Sequence, residues 1–493
     1  MSEDTTKSPW PLQPDRLTKE TWLKAVGDFV HDHLDALATA PAHGFIGAAG
    51  QAIAEEVSRP IPEAPAPGGL GPLLALVDRA AQASLTTPGP GYLAYVPGGG
   101  IYSAALGEFI ASTFNRFTGM AAPSPALARL EADVLRWLAT EFGFGESARG
   151  LLTTGGSLAN LSAIITARHH HFGDSGDFRR ATAYVSDQVH HSVLKSCMLA
   201  GIPSKNVRRV ATDEAFRLDV AALSAQVSAD RAAGMTPFLV VASAGTTNTG
   251  AIDPLPDVAA IASTESLWMH VDGAYGGAFV LEPEGRRRLA GIHRADSITF
   301  DPHKGLFLPY GTGCLLVRDG RKLAAAHTAD AVYLQDFDRW DRSGEVPSPS
   351  DYGPELSRAF RGLRLWLPLM LHGARAFRET LAEKLALTEV AHRGLLALAD
   401  QGHPLEVVTP PQLTIIPFRL RRAPEEALAG WNARNRAFLD RINGAGRVYL
   451  SSTTLPTRDG PAFTLRICVL CHRTHAANIS ACLEDVASAL IGG

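Results

Sequence analysis

Residues 299–313 read TFDPHKGLFLPYGTG, and this stretch shapes the interpretation of the whole chain. An apolar, β-prone run leads into His303 and Lys304, which are followed by a glycine-containing turn. Most lysines of a globular protein lie on its surface in water. A lysine that follows a buried strand lies instead at the edge of the core, where partial desolvation can make its amine a nucleophile. The stretch therefore predicts a chemical role for Lys304.

Short β-prone runs surround this stretch and alternate with helical sequence. They cover residues 181–187, 236–245, 266–274, 296–304 and 311–319. The run FLVVA at 238–242 is apolar without alternation, which is typical of a strand covered on both faces. We therefore predict an α/β fold with a mainly parallel central sheet flanked by helices.

The chain divides into three regions by its pattern of helical, β-prone and breaker-rich sequence. Residues 1–100 are predicted to be an N-terminal helical and extended segment, with a helical stretch over 21–58 ahead of SRPIPEAPAPGGLGP. Residues 101–370 make up the predicted large α/β domain. Residues 371–493 combine a helical stretch with short β-prone runs, which predicts a small C-terminal α+β domain.

Composition and charge exclude several classes of function. The chain of 493 residues has a net charge of −4 and no concentrated basic face, which disfavours nucleic-acid partners. No apolar run is long enough to span a membrane, and the first residues lack a signal-peptide pattern, so a cytoplasmic location is expected. Five cysteines predict no disulfide framework, and Cys468 and Cys471 are interpreted as core thiols rather than metal ligands.

Polar side chains follow the predicted strands at the points where those strands end. In an open α/β sheet, ligands bind beyond the carboxyl ends of the strands. The residues found there are Gly155, Gly156 and Ser157, then His190, Thr246, Asp272, His303 and Lys304. Each alone is also compatible with an ordinary turn, cap or surface residue. Together they predict one binding pocket.

The residue types in this pocket favour a phosphorylated carbonyl cofactor. A Gly-Gly-Ser turn that opens a helix exposes backbone N–H groups and binds phosphate well, although it matches neither the dinucleotide nor the Walker pattern. Lys304 can form a Schiff base with a carbonyl group, and Asp272 can hold a pyridine nitrogen protonated. These properties predict pyridoxal 5′-phosphate as the cofactor, with no metal.

Five motifs, taken in order, resemble the group II pyridoxal-phosphate-dependent amino-acid decarboxylases, such as the aromatic L-amino-acid, histidine and glutamate decarboxylases. The motifs are TTGGSLAN, SDQVHHSV, ASAGTTNTGAIDP, HVDGAYGG and SITFDPHKG, and the likeness runs from about residue 90 to 370. The resemblance implies a fold-type I pyridoxal enzyme. It also implies a homodimer whose active sites are shared between subunits, acting on a small amino-acid substrate.

The resemblance also implies a role for each matching residue. Lys304 would carry the cofactor, Asp272 would pair with its ring nitrogen, and Ala274 and His190 would lie on its two faces. The remaining cofactor contacts would be Gly156, Ser157, Thr246 and His303. Many relatives have asparagine where this chain has Asp301, so Asp301 is a doubtful phosphate ligand, because a carboxylate beside a phosphate must be paired or turned away.

Tyr333 bears on the choice of reaction. A decarboxylase must protonate the α-carbon, and by resemblance this acid is a tyrosine at the position of Tyr333, within HTADAVYLQD. Relatives that make aldehydes carry phenylalanine there. Tyr333 therefore favours an amine and CO2 as products, with aldehyde synthesis, lyase chemistry and transamination as alternatives. A non-catalytic relative is disfavoured because Lys304, Asp272 and His190 are all present.

The sequence is less informative about the substrate. An aromatic or bulky L-amino acid is favoured, while histidine, glutamate and diaminobutyrate stay open. Tyr92, Tyr95 and Phe117 are candidates for an apolar slot, and the glycines after Pro97 are interpreted as extra room for a larger side chain. Arg466 is interpreted either as a receptor for a carboxylate or as a structural arginine on a strand.

Overall fold

The computed structural model describes residues 12–174, 176–329, 337 and 347–491. The helices are α1 Arg16–Ala36, α2 Gly47–Val57, α3 Leu70–Gln82, α4 Tyr102–Phe114, α5 Pro125–Glu141, α6 Gly156–Phe172, α7 His191–Leu199, α8 Val220–Ala232, α9 Leu255–Thr264, α10 Pro283–Arg288, α11 Pro302–Gly305, α12 Gly320–His327, α13 Gly362–Asp400, α14 Leu428–Gly444 and α15 Ala476–Ile491. The strands are β1 Arg149–Thr153, β2 Ala181–Ser186, β3 Val207–Val210, β4 Thr236–Ser243, β5 Trp268–Gly273, β6 Ser297–Phe300, β7 Gly313–Val317, β8 Leu405–Val407, β9 Ile415–Leu420, β10 Ser451–Thr457 and β11 Gly460–Cys468.

The central sheet has seven strands in the order β1-β7-β6-β5-β4-β2-β3. Strand β7 is antiparallel to both of its neighbours, and the strands from β6 to β3 are parallel to one another. All six residues of β2 and of β5 are buried, because helices cover both faces of the sheet. The prediction of a mainly parallel sheet flanked by helices is confirmed.

A second sheet of four strands, β10-β11-β9-β8, is antiparallel throughout. It shares a separate apolar core with α14, α15 and the C-terminal half of α13. Helix α13 crosses the predicted domain boundary at residue 370, and its backbone leaves helical geometry at Gly373, with φ 70° and ψ 155°. The division of the chain at residues 100 and 370 stays a prediction.

The helical stretch predicted over 21–58 is wrong as a single element. The chain forms α1 and α2, and residues 37–46 between them are not part of either helix. Pro41 lacks a backbone N–H, and the backbone at Gly44 passes against the end of α3. A Cβ atom at Gly44 would lie 2.0 Å from the carbonyl oxygen of Gln82, so only glycine fits this crossing.

Within the described residues, no helix combines the length and apolarity that crossing a membrane requires. The same part of the chain holds no cluster of three metal-ligating side chains. All five cysteines are free thiols, and each of them is buried.

Candidate active site

The carboxyl ends of β2, β4, β5 and β6 open onto a cavity of about 300 Å³. This is the edge at which an open α/β sheet binds its ligands. The sequence-predicted residues that line the cavity are Gly156, Ser157, His190, Thr246, Asp272, Ala274, His303 and Lys304. Tyr333 lies outside the described residues.

The amino end of α6 forms one wall of the cavity. No side chain caps this helix, so the N–H groups of Gly156 and Ser157 are available to a ligand. A Cβ atom at Gly156 would lie 3.0 Å from Asp301 Oδ2 and 3.2 Å from Ala274 Cβ. A larger residue would therefore fill the space in front of the helix. Uncapped N–H groups behind a glycine cradle are suited to a phosphate.

Lys304 follows the strand, as predicted, although the β-prone run 296–304 extends beyond the end of that strand. Strand β6 ends at Phe300, and Lys304 belongs to the single turn of α11. Its Nζ atom lies 2.9 Å from Asp301 Oδ2. Asp301 is nearly fully buried, and its Oδ1 atom has no hydrogen-bond partner among the described residues. The carboxylate of the doubtful phosphate ligand Asp301 is thus paired with the amine of Lys304.

Asp272 presents its carboxyl group at the end of β5. Its Oδ1 atom accepts a hydrogen bond from the backbone N–H of Ala274 at 3.1 Å. Its Oδ2 atom accepts one from Nδ2 of Asn160, also at 3.1 Å. Both oxygens are acceptors, and the side chain is 7% exposed, so the charge is held at a fixed place in the cavity.

Burial lowers the pKa of two histidines in the cavity, which favours the neutral form of each. His190 caps α7, and its Nδ1 atom accepts from the backbone N–H of Ser192. Nδ1 of His303 donates to the carbonyl oxygen of Thr312 at 2.6 Å. The ring of His303 also lies 5.6 Å from that of Tyr310, measured between centroids.

Comparison with known proteins identifies the family. Residues 77–421 match the family described as the pyridoxal-dependent decarboxylase conserved domain. The chain belongs to the pyridoxal-dependent decarboxylases. Its cofactor is pyridoxal 5′-phosphate, and its reaction is the decarboxylation of an amino acid. The predicted family, fold, enzyme class and cofactor are confirmed.

Three relatives of this decarboxylase span most of its length. The aromatic-L-amino-acid decarboxylase of Bacillus atrophaeus is 35% identical over 450 residues, which cover 91% of this chain and 90% of the relative. The phenylacetaldehyde synthase of Arabidopsis thaliana is 30% identical over 376 residues, covering 74% and 75%. The crystal structure of Oryza sativa TDC with PLP and tryptamine superposes with a TM-score of 0.88 at 27% identity, covering 98% and 99%.

Arg466 of the decarboxylase is engaged by the protein itself. Its Nε atom donates to the carbonyl oxygen of Asn248 at 2.9 Å, and Nη1 donates to Ser451 Oγ at 2.9 Å. Its Nη2 atom donates to the carbonyl oxygens of Thr247 and Tyr95. The guanidinium therefore joins the small sheet to the loop that follows β4, which favours the structural interpretation of this arginine over the carboxylate receptor.

Two of the three glycines after Pro97, Gly98 and Gly99, do not provide the expected extra room. A Cβ atom at Gly98 would lie 2.8 Å from the carbonyl oxygen of His303 and 3.1 Å from Cε1 of Tyr310. At Gly99, a Cβ atom would lie 2.1 Å from Nδ1 of His472. The expectation is wrong for these two glycines, because they let the backbone pack directly against the wall of the site. A Cβ atom at Gly100 would meet no atom within 4 Å.

Several cavity residues of the decarboxylase were missed by reasoning from sequence, including Asn160, Ser192 and Tyr275. Asn160 carried a usable signal, because it follows Gly156 by one helical turn and therefore lies on the same face of α6. Ser192 carried a weaker one, two residues after His190. Tyr275 gave no signal, since its hydroxyl bonds to Thr414 of the small domain, 139 positions away.

Proposed function

We propose that this decarboxylase converts an aromatic L-amino acid into the corresponding amine and CO2. The observation that carries the proposal is the cavity, where an amine, a fixed carboxylate and an uncapped helix end face the same space. When bound, pyridoxal 5′-phosphate supplies the electron sink that makes loss of CO2 feasible. The surrounding residues hold it in position and surround it with fixed charges.

Each residue then has one task in this proposal. Lys304 holds the cofactor covalently, and the N–H groups of Gly156 and Ser157 bind its phosphate. Asp272 keeps the ring nitrogen protonated through its buried charge. His190 and Ala274 would contact the cofactor ring, Thr246 would lie near it, and His303 would contact the phosphate or orient the site.

The aromatic preference rests on the named relatives and on two tyrosines that lie close to cavity residues or their supports. Tyr95 and Tyr310 both have side chains that are more than half exposed. Tyr310 lies beside His303, and Tyr95 lies on the segment that Arg466 ties to the loop after β4. Exposed aromatic rings beside a polar site provide a surface on which a second aromatic ring can stack.

The test is CO2 release by cofactor-loaded protein across the proteinogenic L-amino acids and their common hydroxylated and diamino variants, with the organic product identified in each positive reaction. We expect tryptophan, tyrosine or phenylalanine to give CO2 and an equal amount of amine. Release of CO2 only from glutamate, histidine or diaminobutyrate would reject the aromatic assignment while keeping the decarboxylase.

Aldehyde synthesis is the second candidate, because one of the relatives is a phenylacetaldehyde synthase. We expect Tyr333→Phe to lower the yield of amine and, in the presence of O2, to raise that of aldehyde, since phenylalanine cannot donate the proton that the α-carbon needs. Molecular oxygen is the oxidant for this product: it is reduced to H2O2 while ammonia is released. The measurement is the ratio of amine to aldehyde per CO2 released. The Tyr352→Phe variant, 19 positions further along the chain, serves as the control, and an unchanged ratio in Tyr333→Phe would remove Tyr333 from the mechanism.

We also propose that the working unit is a homodimer. Helix α4 exposes Leu106, Phe109, Ile110 and Phe114, and the adjoining part of α13 exposes Met370 and Leu371. Phe109 and Phe114 are 55% and 60% exposed. A contiguous apolar patch of this kind is typical of a protein–protein interface.

Phe109→Asp is expected to convert the dimer into monomers, because a carboxylate cannot be buried unpaired within an apolar interface. The measurement is the molar mass in solution by light scattering, together with CO2 release. Leu396→Asp, on the distant half of α13, is the matched control and should stay dimeric. A Phe109→Asp variant that keeps the wild-type mass would contradict the assignment of this face.

A further inference from the structure

A continuous chain of buried polar side chains lies behind the cavity. It begins at the indole of Trp268, which donates to Ser297 Oγ at 2.8 Å. Ser297 Oγ lies 2.8 Å from Nδ1 of His270, and His270 Nε2 lies 3.0 Å from Oδ1 of Asn160. These four side chains are all buried. They connect β5 and β6 to the helix that forms the phosphate cradle.

Asn160 is the branch point of this chain. Its Nδ2 atom lies 3.1 Å from Asp272 Oδ2 and 3.0 Å from Ser192 Oγ. Ser192 Oγ in turn lies 2.7 Å from Nδ1 of His190. One amide therefore touches both the carboxylate at the end of β5 and the hydroxyl beside the histidine that caps α7.

The direction of every hydrogen bond follows from the two ends of the chain. A carboxylate only accepts, so the Asn160 atom beside Asp272 must be the amide nitrogen, and Oδ1 must face His270. His270 Nε2 is then the donor to Oδ1, and its Nδ1 atom accepts from Ser297. This requires neutral His270, and burial lowers the pKa of His270 to about 4.

The backbone N–H of Ser192 decides which nitrogen of His190 carries the proton, because an N–H group can only donate. Asn160 donates to Ser192 Oγ, so the hydroxyl hydrogen of Ser192 is free to point at Nδ1 of His190. The backbone N–H of Ser192 also donates to that nitrogen, at 3.3 Å. Nδ1 of His190 therefore carries a lone pair, and the proton of the neutral ring lies on Nε2.

We propose that Asn160 is a positioning residue that sets both groups at once: it orients the carboxylate of Asp272 and, through Ser192, holds His190 with its proton on Nε2. His190 then offers the cavity a hydrogen-bond donor, suited to a substrate carboxylate, and does not act as a base. This inference rests on the proposed function only where it names the substrate and the cofactor as the groups that His190 and Asp272 contact. The hydrogen-bond directions hold without any cofactor.

The direct test is nitrogen-15 NMR of histidine-labelled protein, cofactor-free and cofactor-loaded, with His190 assigned from the His190→Gln variant. We expect neutral His190 protonated on Nε2 in both states. A proton on Nδ1 in the wild-type protein would overturn the inference. Because the cofactor-free spectrum is recorded without substrate, failure of the proposed function would show separately, as absent cofactor binding or absent CO2 release.

Substitutions of Asn160 and Ser192 test the two contacts that the Asn160 amide makes. Asn160→Ala removes a donor from Asp272 as well as from Ser192, so we expect the Kd of pyridoxal 5′-phosphate to rise about tenfold and the KM of the substrate about fivefold. Ser192→Ala should raise KM by a similar factor and leave the cofactor Kd unchanged. Ser192→Thr, which keeps the hydroxyl, should restore KM.

The double variant separates positioning from general loss of structure. In Asn160→Ala/Ser192→Ala, the two effects on KM should be less than multiplicative, because both changes interrupt one path to His190. Asn435→Ala is the matched control: Asn435 is equally buried and bonded, but lies in the small domain. It should lower thermal stability and leave both constants unchanged. Multiplicative effects on KM would contradict the claim that Asn160 acts on His190 through Ser192. Weakened cofactor binding in Ser192→Ala would contradict it as well.

Discussion

Lys304→Ala is expected to abolish covalent attachment of pyridoxal 5′-phosphate and to lower CO2 release by about 10⁴-fold or more, as loss of a catalytic nucleophile does. Lys304 is the only lysine among the described residues that line the cavity. The measurement is the visible absorbance of the lysine-bound cofactor after desalting, together with CO2 release. Lys195→Ala, on the exposed face of α7, is the control. Retained absorbance in Lys304→Ala would show that another lysine holds the cofactor.

The same variant has a second expected effect, on stability. Removing the amine leaves Asp301 without the cation that lies 2.9 Å away, in a place where its carboxylate is almost fully buried. We expect a loss of about 1–3 kcal/mol in the free energy of unfolding. The double variant Lys304→Ala/Asp301→Asn should recover part of that loss without recovering activity. This separates the structural role of the ion pair from the chemical role of the amine.

Asp272→Asn is expected to lower kcat by about 10²–10³-fold, the cost of removing one preorganised electrostatic contact in an enzyme site. The amide is uncharged and cannot hold a ring nitrogen protonated. It also places a second amide against Asn160, which now donates to the carboxylate. The measurements are kcat and the amount of bound cofactor per chain.

Asp230→Asn is the matched control for Asp272→Asn. Asp230 is also buried, but it accepts from Tyr184 and Arg208, away from the cavity. Its replacement should lower stability and leave kcat unchanged. A kcat for Asp272→Asn within threefold of the wild-type value, about 0.7 kcal/mol in the barrier, would remove Asp272 from its proposed role.

Much of the fold and the outline of the site were predictable from local sequence. Runs such as FLVVA predict strands, because a strand that is buried on both faces must be apolar at consecutive positions. The polar residues that follow such runs were predicted to share a pocket because parallel strands end at one edge. Lys304, Asp272 and His190 were found in this way, and the structure places all three around the same cavity.

The predictions that failed concern close approaches between distant parts of the chain. The glycines after Pro97 suggested empty space, yet Gly98 and Gly99 lie against His303, Tyr310 and His472. Arg466 was compatible with two roles until its partners in the loop after β4 were known. Neither a glycine nor an arginine in the sequence reveals which residues lie opposite it in the folded protein.

The sequence by itself determined the chemistry available to this protein: its lysine, its carboxylate and its uncapped glycine turn each follow a strand whose apolar pattern is local. Only the tertiary structure decided how those groups are held. The contacts between Asn160 and Asp272, 112 positions apart, and between Asn160 and His270, 110 positions apart, form only when α6 packs on β5. Hydrogen-bond direction is a property of that assembled network, because each donor is defined by the acceptor that folding brings to it.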